Sequence, residues 1–295
     1  MLAATEGEAM EAKSIDPTAF RDAQRNQWNE AATGWKKWVD EMTATTQPVS
    51  DRLVELAGIG PGSRVLDVAA GYGEPALTAA RKAGPDGHVV ATDISAEMLA
   101  FGRERAAAAG VANLAFVESE ASALDFPEGS FDAAVSRWGI IFEPEAEATA
   151  ARIRSFLKPG GRMAISSWGA PLEAPMISLP MMAVLGYLKQ PSPPPGTPGP
   201  LARPTPEAIS AILEGGGFSN VEVEEMQIDM DWSSAEEFTT FVQDIVAPLV
   251  AMVEQHPPEV REAAWNAVTE ATRQYADDDG RVTLSNKVLL ASGTA

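Results

Sequence analysis

The sequence predicts an α/β fold in which a doubly wound, mostly parallel, seven-stranded sheet of Rossmann-like type is covered by helices. From about residue 49 to residue 291, short apolar runs alternate with longer helical segments, the pattern expected of strands with helices on both faces of the sheet. A glycine turn joins the first apolar run to a helix start. With 295 residues, 45% of them hydrophobic, the chain can bury a full core.

The first half of the chain follows this alternation closely. Residues 64–68 are apolar enough for a buried strand, and Gly71 and Gly73 then allow a tight turn before a helix over 75–83. Ser95 is expected to cap a helix over 96–109 that Gly110 ends. The other elements predicted here are helices at 50–57 and 145–156, strands at 88–92, 114–117, 131–136 and 162–167, and a turn at 158–161.

The regular alternation stops after residue 167. Segment 171–206 is rich in proline, glycine and methionine, which predicts an irregular surface excursion, either a loose loop or a lid over a ligand site. Helices at 206–213, 235–255 and 259–275 and strands at 221–228 and 287–291 complete the sheet. We therefore expect an N-terminal helical cap at 1–48 and a main domain at 49–295, with a lid at 170–206 and a helical insertion at 233–276.

Charge and composition narrow the function classes. Forty-two acidic against twenty-two basic residues give a net charge of −20, which disfavours nucleic acid as a partner. The absence of cysteine excludes a disulfide framework, a thiolate nucleophile and a cysteine-ligated metal, and we expect no metal site. No apolar run approaches the ~20 residues of a membrane span, so the expected location is cytoplasmic. The expected assembly is a monomer or homodimer that acts on a small molecule.

The glycine turn predicts a nucleotide-like ligand. Residues 71–76 fit the relaxed dinucleotide pattern G-x-G-x-x-A, and Asp93 lies twenty residues past Gly73, where a ribose-binding acid is expected. Asp67 inside the preceding strand and Glu74 at the turn make these surroundings acidic, which suits a cation better than a pyrophosphate. S-adenosylmethionine carries an ammonium and a sulfonium but no phosphate. A nicotinamide-dependent oxidoreductase remains an alternative.

Five sequence blocks occur in a fixed order along this region. They are Val65–Gly73, Ala91–Ser95, Glu120-Ala121 ahead of Leu124–Pro127, Ser130–Ser136, and Leu157–Gly161. With these blocks, the chain resembles the class I S-adenosylmethionine-dependent methyltransferases, and among them the UbiE-like small-molecule group, over about residues 49–168. The departures from that pattern are Ala69-Ala70 before the glycine, Pro75 after Glu74, and glutamate at 120 where aspartate is common.

The resemblance implies a cofactor, S-adenosyl-L-methionine, with S-adenosyl-L-homocysteine as its product. Asp67 and the backbone of 70–73 are expected to hold the methionine part, and Asp93 the ribose hydroxyls. Glu120 and the Ala121 amide are expected to read the adenine edge, and the carbonyls of 136 and 137 to border the amino acid moiety. The predicted cofactor contacts are Asp67, Ala69, Ala70, Gly71, Tyr72, Gly73, Asp93, Ile94, Met98, Glu120, Ala121, Ser136 and Arg137.

The reaction that this resemblance implies is direct in-line displacement of the methyl group onto an oxygen, nitrogen or carbon of a small apolar or aromatic metabolite. A general base is optional, and no catalytic residue is assigned, because His88 starts a strand away from the ligand edge and His256 lies in a predicted exposed loop. A cyclase-like protein that binds the cofactor without using its methyl group is a further alternative.

The predicted substrate pocket contains Trp28, Trp35, Trp138 and Trp168. Trp138 and Trp168 lie at the carboxyl edge of the sheet, where ligands bind. For Trp28 and Trp35 the alternative is that they only pack the N-terminal helix against the main domain.

Overall fold

A computed structural model of the protein describes residues 16–194 and 196–295. The part of the predicted cap at 1–15 lies outside the described residues. Seven strands form one sheet. They are β1 (Arg64–Val68), β2 (His88–Asp93), β3 (Leu114–Glu118), β4 (Phe131–Arg137), β5 (Leu157–Trp168), β6 (Ser219–Trp232) and β7 (Val282–Thr294).

The strand order β3-β2-β1-β4-β5-β7-β6 confirms the doubly wound prediction. The first five strands are parallel, and β7 runs antiparallel between β5 and β6. In this register Asp67 of β1 pairs with Ala91 of β2 on one side and Val135 of β4 on the other. The carboxyl ends of β2, β1 and β4 are therefore neighbours, and the order reverses beside β1, where doubly wound sheets bind ligands.

Helices cover both faces of the sheet. Alternate residues of β1 belong to opposite cores, because side chains of a strand point to alternate faces: Val65 packs in one apolar cluster and Leu66 in the other. The helices are α1 (Pro17–Lys37), α2 (Val39–Leu56), α3 (Ala76–Ala83), α4 (Ala96–Ala108), α5 (Ala146–Phe156), α6 (Pro175–Leu188), α7 (Pro206–Gly215), α8 (Ala235–Ile245), α9 (Ala247–Glu254) and α10 (Pro258–Arg273). None of these helices, within the described ranges, is long and apolar enough to cross a bilayer.

The prediction that 171–206 is irregular was wrong over its first half, where α6 forms. Pro175 occupies the first turn of α6, where a missing N–H is tolerated, and Pro180 lies inside the helix. The side chains of Met176, Leu179 and Val184 are buried in the larger core, and this burial outweighs the cost of the internal proline. The later part of this segment, at 189–194 and 196–205, contains neither helix nor strand.

Other differences concern element lengths. The helix predicted at 50–57 begins at Val39, and the helix predicted at 235–255 is two helices, α8 and α9, that meet at Val246. The turn predicted at 158–161 lies within β5 as a bulge, where the pairing with β4 shifts register and Gly160 has a φ of 81°. The break at Val246 has a local cause, because Pro248 lies in the first turn of α9 and cannot continue the hydrogen-bond pattern of α8.

Candidate functional site

A cavity of about 460 Å³ lies at the carboxyl edge of the parallel strands, a size typical of small-molecule sites. Residues after β1, β2, β3, β4 and β5 form its floor, and α1, α6, α8 and α9 cover it. Of the residues predicted from sequence, Ala69, Ala70, Gly71, Tyr72, Asp93, Ile94, Met98, Ala121, Arg137, Trp28, Trp35, Trp138 and Trp168 line the cavity. Asp67, Gly73, Glu120 and Ser136 lie outside its lining.

The glycine loop after β1 is held in an unusual backbone conformation. Ala69, Gly71 and Gly73 all have positive φ, at 59°, 53° and 99°, which favours glycine over residues with a side chain. A Cβ atom at Gly71 would meet no atom within 4 Å, whereas a Cβ atom at Gly73 would lie 3.5 Å from the Cα of Gly102 in α4, an ordinary van der Waals distance. Gly71 therefore leaves open space beside the backbone, while at Gly73 the positive φ, and not a lack of space, favours glycine.

Asp93 joins the carboxyl end of β2 to this loop. Its Oδ2 accepts a hydrogen bond of 2.8 Å from the backbone N–H of Gly71, and its Oδ1 accepts another of 2.8 Å from Ser95. Burial raises the pKa of Asp93 to about 6, although the backbone N–H groups of Ser95, Gly71 and Ile94 oppose this effect. The carboxyl group thus fixes the glycine loop and also lines the cavity.

Asp67 lies one layer behind the loop and is fully buried. Neither of its carboxyl oxygens has a hydrogen-bond partner among the described residues. Burial raises its pKa well above the ordinary value, the charge of Arg137 acts in the opposite direction, and Glu74 adds to the increase. Because burial disfavours the charged form of Asp67 and the side chain lies outside the cavity lining, any effect of Asp67 on a ligand is indirect.

Arg137, at the end of β4, is buried behind the loop with its hydrogen bonds satisfied. Its guanidinium donates to Thr46 Oγ1 at 2.7 Å, Ser50 Oγ at 2.9 Å and the Tyr72 hydroxyl at 2.6 Å. The ring of Tyr72 also stacks on Trp35 of α1, with centroids 5.6 Å apart. The neighbouring Ser136 hydroxyl donates to Val68 O at 2.8 Å. These bonds fix the loop between strands β1 and β4.

Glu120 follows β3 and forms an ion pair with Arg25 of α1, with 2.5 Å between Nη2 and Oε1. Its neighbours Ser119 and Ala121 line the cavity, while Glu120 itself does not. Its predicted role at the adenine edge stays a prediction. This ion pair attaches α1 to the part of the cavity beneath β3.

The opposite part of the cavity is apolar, and we call it the tryptophan chamber. Trp138 and Trp168 form its wall, and their rings stack in parallel with centroids 4.4 Å apart and planes at 2°. Its other lining side chains carry no titratable group, and they are Met176, Ile177, Met181, Leu185, Phe241, Val242, Ile245, Leu249 and Met252. His88 and His256 do not line the cavity.

Sequence reasoning missed several lining residues. Phe20, Arg21, Gln24 and Gln27 of α1 and Glu143 after β4 all face the cavity. The α1 residues recur every three to four positions, in line with Trp28, and this helical spacing was a signal that the whole face contributes. The signal for Glu143 was weaker, because it follows a short 3₁₀ turn that sequence does not predict.

Comparison with known proteins identifies the central segment. Residues 65–161, which carry the glycine loop, Asp93 and Arg137, match the family model described as a methyltransferase domain. This match covers 97 of the 295 residues of the chain. The chain is also similar to the ubiquinone/menaquinone biosynthesis C-methyltransferase UbiE of Pseudomonas putida, at 40% identity over 119 residues, which cover 40% of this chain and 46% of that protein.

A second relative is an uncharacterized protein of Mycobacterium bovis, 40% identical over 121 residues that cover 41% of this chain and 43% of the relative. The matched region thus spans less than half the length of these curated relatives. The match to the family model ends at residue 161, so it includes none of α6, α8 or α9, which complete the cavity.

Solved structures share the fold of this chain at lower identity. Phosphoethanolamine N-methyltransferase 2 of Haemonchus contortus, in complex with S-adenosyl-L-methionine, has a TM-score of 0.54 and 21% identity, covering 93% of this chain and 59% of that chain. The YcgJ protein of Bacillus subtilis has a TM-score of 0.53 and 16% identity, covering 83% and 97%. The cyclase SpnF has a TM-score of 0.52 and 21% identity, covering 83% and 79%. These likenesses confirm the predicted Rossmann-like methyltransferase fold.

Proposed function

We propose that this protein transfers a methyl group from S-adenosylmethionine to a small apolar or aromatic acceptor. The observation that carries the proposal is one continuous cavity that joins the glycine loop of a methyltransferase domain to the tryptophan chamber. The loop end offers backbone and carboxylates, and the chamber offers aromatic and thioether surfaces. A polar cofactor and an apolar acceptor therefore have separate, adjoining places.

The residues at the loop end fit the cofactor. Gly71 leaves open space beside its backbone, and Asp93 presents a carboxylate at the cavity wall for hydroxyl donors. Glu74 also lines this end, and its side chain is almost entirely buried. Carboxylates in such a place favour an ammonium and a sulfonium and disfavour a pyrophosphate, which supports S-adenosylmethionine over a nicotinamide dinucleotide.

When bound, S-adenosylmethionine supplies a methyl group on a good leaving group, so the chain itself needs mainly to orient the acceptor and exclude water. The rings of Trp138 and Trp168 stack on each other, and an aromatic acceptor can extend this stack on an outer ring face. Met176 and Met181 can adapt to its outline. Orientation of this kind is worth ~7–11 kcal/mol in favourable cases, and the chamber offers no titratable side chain for proton abstraction.

The Pseudomonas putida relative is named a C-methyltransferase of ubiquinone and menaquinone biosynthesis, which is consistent with a carbon acceptor in that protein. In this chain the acceptor would lie against α6, α8 and α9, outside the matched segment, so the methylated atom is left open among oxygen, nitrogen and carbon. We also propose a cytoplasmic monomer or homodimer. A net charge of −20 supports a small-molecule acceptor over a nucleic acid.

Binding of S-adenosylhomocysteine, measured by calorimetry and thermal unfolding, is the first test. At 100 times its dissociation constant the ligand should add ~2.7 kcal/mol to the stability. Small phenols, quinone precursors and polyketides are then screened as acceptors. A methyl transfer releases S-adenosylhomocysteine and gives a product heavier by one methylene. No binding of S-adenosylhomocysteine together with tight binding of NADH would replace the proposal with an oxidoreductase.

The tryptophan chamber also fits a reaction other than methyl transfer. Because no titratable side chain lines it, the site also suits a reaction that needs only enclosure of an apolar molecule. A cofactor that binds but is never demethylated, across acceptors that do bind in the chamber, would favour the non-methylating, cyclase-like alternative.

A further inference from the structure

Trp138 has a backbone conformation that is rare for a large side chain. Its φ is 55°, in the left-handed region where a bulky residue is an outlier. The residue follows β4 directly and lines the cavity. A conformation of this kind persists only where the surrounding structure imposes it, and such residues cluster at ligand sites. The contacts that impose it therefore bear on what Trp138 does.

Two residues of β5 hold Trp138, one at its backbone and one at its ring. The Trp138 N–H donates a hydrogen bond of 3.0 Å to Ser166 Oγ, and its indole stacks on that of Trp168. Residues two apart in a strand point to the same face of the sheet, and Ala164 and Trp168, two residues before and after Ser166, both belong to the larger core. Ser166 and Trp168 thus act on Trp138 from the same face.

The turn after Trp138 packs closely against the start of the glycine loop. A Cβ atom at Gly139 would lie 2.4 Å from the Cβ of Ala69, so no side chain fits there. The indole N–H of Trp138 has no hydrogen-bond partner within the described part of the chain, and the Arg137 guanidinium lies 5.2 Å from the ring centroid. The position of the ring therefore depends on the backbone, on the stack with Trp168 and on this cation.

The hydrogen bond to Ser166 is the contact that acts on the backbone of Trp138 and not on its ring. Ser166 is fully buried and pairs in register with Arg137, so its hydroxyl group has little freedom to move. Without this acceptor the Trp138 N–H loses its protein partner, and the backbone can turn toward the extended conformations that tryptophan prefers. Such a turn would separate the two stacked rings.

We propose that Ser166 is a positioning residue for the methyl acceptor. By holding Trp138 in the left-handed conformation, Ser166 keeps the indole stacked on Trp168 and so fixes the ring face on which an aromatic acceptor lies. This inference rests on the proposed function, since it assumes an aromatic acceptor in the tryptophan chamber. Ser166 is outside the cavity lining and acts through Trp138. It therefore affects the acceptor and not the cofactor.

The test is fluorine NMR of the full chain labelled with 5-fluorotryptophan, which gives one resonance for each of the seven tryptophans. Trp138→Phe and Trp168→Phe assign the two stacked rings. In Ser166→Ala these two resonances should shift or broaden, while those of the other tryptophans stay in place. Ser166→Thr keeps a hydroxyl acceptor and should restore the wild-type spectrum. Ser166→Cys, whose sulfur is a weak acceptor, should give an intermediate change and replaces the threonine variant if that does not fold.

The matched control is Ser167→Ala. Ser167 is the next residue of β5, is equally buried, and donates a hydrogen bond of 2.7 Å to Arg203 O. The variant therefore loses the same buried group without affecting the bond to Trp138, and both stacked resonances should keep their wild-type positions. Unchanged resonances in Ser166→Ala, or equal changes in the two alanine variants, would contradict the inference.

The acceptor site is probed with 2-naphthol, a flat aromatic phenol, added in the presence of S-adenosylhomocysteine. In the wild type 2-naphthol should shift at least one of the two stacked resonances. Ser166→Ala should weaken its binding by about 5- to 10-fold, as expected for the loss of one buried hydrogen bond. The affinity for S-adenosylhomocysteine, measured by calorimetry, should stay unchanged.

The outcomes separate the two proposals. A wild type that does not bind S-adenosylhomocysteine contradicts the proposed function, while the spectrum of Ser166→Ala still tests whether Ser166 positions Trp138. A wild type that binds S-adenosylhomocysteine, but whose stacked resonances do not respond to 2-naphthol, contradicts this inference alone. Equal weakening of both ligands in Ser166→Ala would give Ser166 a general structural role and would also contradict it.

Discussion

Arg137 Nη2 donates a hydrogen bond of 2.6 Å to the hydroxyl oxygen of Tyr72. The bond joins the end of β4 to the middle of the glycine loop, and the same guanidinium reaches Thr46 and Ser50 of α2. Tyr72 in turn stacks on Trp35 of α1. One buried cation thus connects the ligand loop to both N-terminal helices.

Replacement of Arg137 by methionine should lower the free energy of unfolding by ~2–4 kcal/mol, because three buried hydroxyl groups lose their donor at once. Urea denaturation measures this loss. Arg154→Met is the control, since Arg154 is exposed and should change stability by no more than ~0.5 kcal/mol. A loss below ~1 kcal/mol for Arg137→Met would show that these hydroxyl groups find other partners.

Gly34 and Gly186 form a matched pair for a test of how closely α1 packs. A Cβ atom at Gly34 would lie 1.9 Å from the carbonyl oxygen of Asp244 in α8, whereas a Cβ at Gly186 in α6 would meet nothing within 4 Å. Gly186→Ala should therefore stabilise the protein by ~0.5–1 kcal/mol through helix propensity. Gly34→Ala should destabilise it despite the same gain.

The Gly34→Ala variant also has a local signature. Because α1 must move away from α8, its amides should exchange with solvent faster than in the wild type, while those of β1 and β4 keep their protection. Hydrogen exchange with mass spectrometry detects this difference. Equal exchange of α1 in Gly34→Ala and Gly186→Ala would mean that α8 can shift to make room.

The sequence predicted the first half of the fold well because its signals are local. Val65, Leu66 and Val68 mark a strand buried on both faces, and Gly71 and Ser95 mark a turn and a cap, each readable within a few residues. Segment 175–188 carried the opposite local signal, two prolines, and folds as α6 because its apolar side chains reach a core built elsewhere. A pattern within a few residues does not predict burial against a core formed by distant parts of the chain.

The sequence also predicted only part of the site, namely the residues at the ends of the strands. Strand ends bring residues such as Asp93 and Arg137 to one edge whatever the details, because parallel strands end together. Whether an acid at that edge faces the cavity depends on its neighbours in space. Glu120 is bound by Arg25, and Glu143 faces Arg21. Both contacts depend on how α1 docks, which the sequence of α1 alone does not determine.

Asp67→Asn should make the protein more stable near neutral pH. The folded-state pKa of Asp67 is raised above its ordinary value of 3.8 by burial, so the folded state holds the proton more tightly than the unfolded state. The protonated Asp67 therefore contributes to the free energy of unfolding. This contribution is fully present at low pH and is lost as the pH rises through the folded-state pKa. The asparagine cannot ionise, and its stability should fall less between pH 4 and pH 8. Thermal unfolding across this range measures the difference, and parallel curves for the two proteins would contradict it.

Binding of S-adenosylhomocysteine should strengthen between pH 5 and pH 7 through Asp93. Its pKa is about 6 in the ligand-free protein because of burial, and the ionised carboxylate is the better acceptor for ribose hydroxyls. The ionised fraction rises from about one tenth at pH 5 to about nine tenths at pH 7, so affinity should rise by up to roughly ninefold.

The same group has the opposite effect on the free protein. The pKa of Asp93 is raised from 3.8 to about 6. Its contribution to the free energy of unfolding is therefore fully present below pH 4, and about 3 kcal/mol is lost as the pH rises from 4 through 6. Asp93→Asn should remove both the loss of stability and the rise in affinity, while binding stays weak at every pH. Calorimetric titrations at pH 5, 6 and 7 measure the affinity, with Glu145→Gln as a carboxylate control that keeps the rise. An affinity that rises equally in Asp93→Asn would assign the titration to another carboxylate at the cavity, of which Glu143, whose pKa is also raised by burial, is the next to replace.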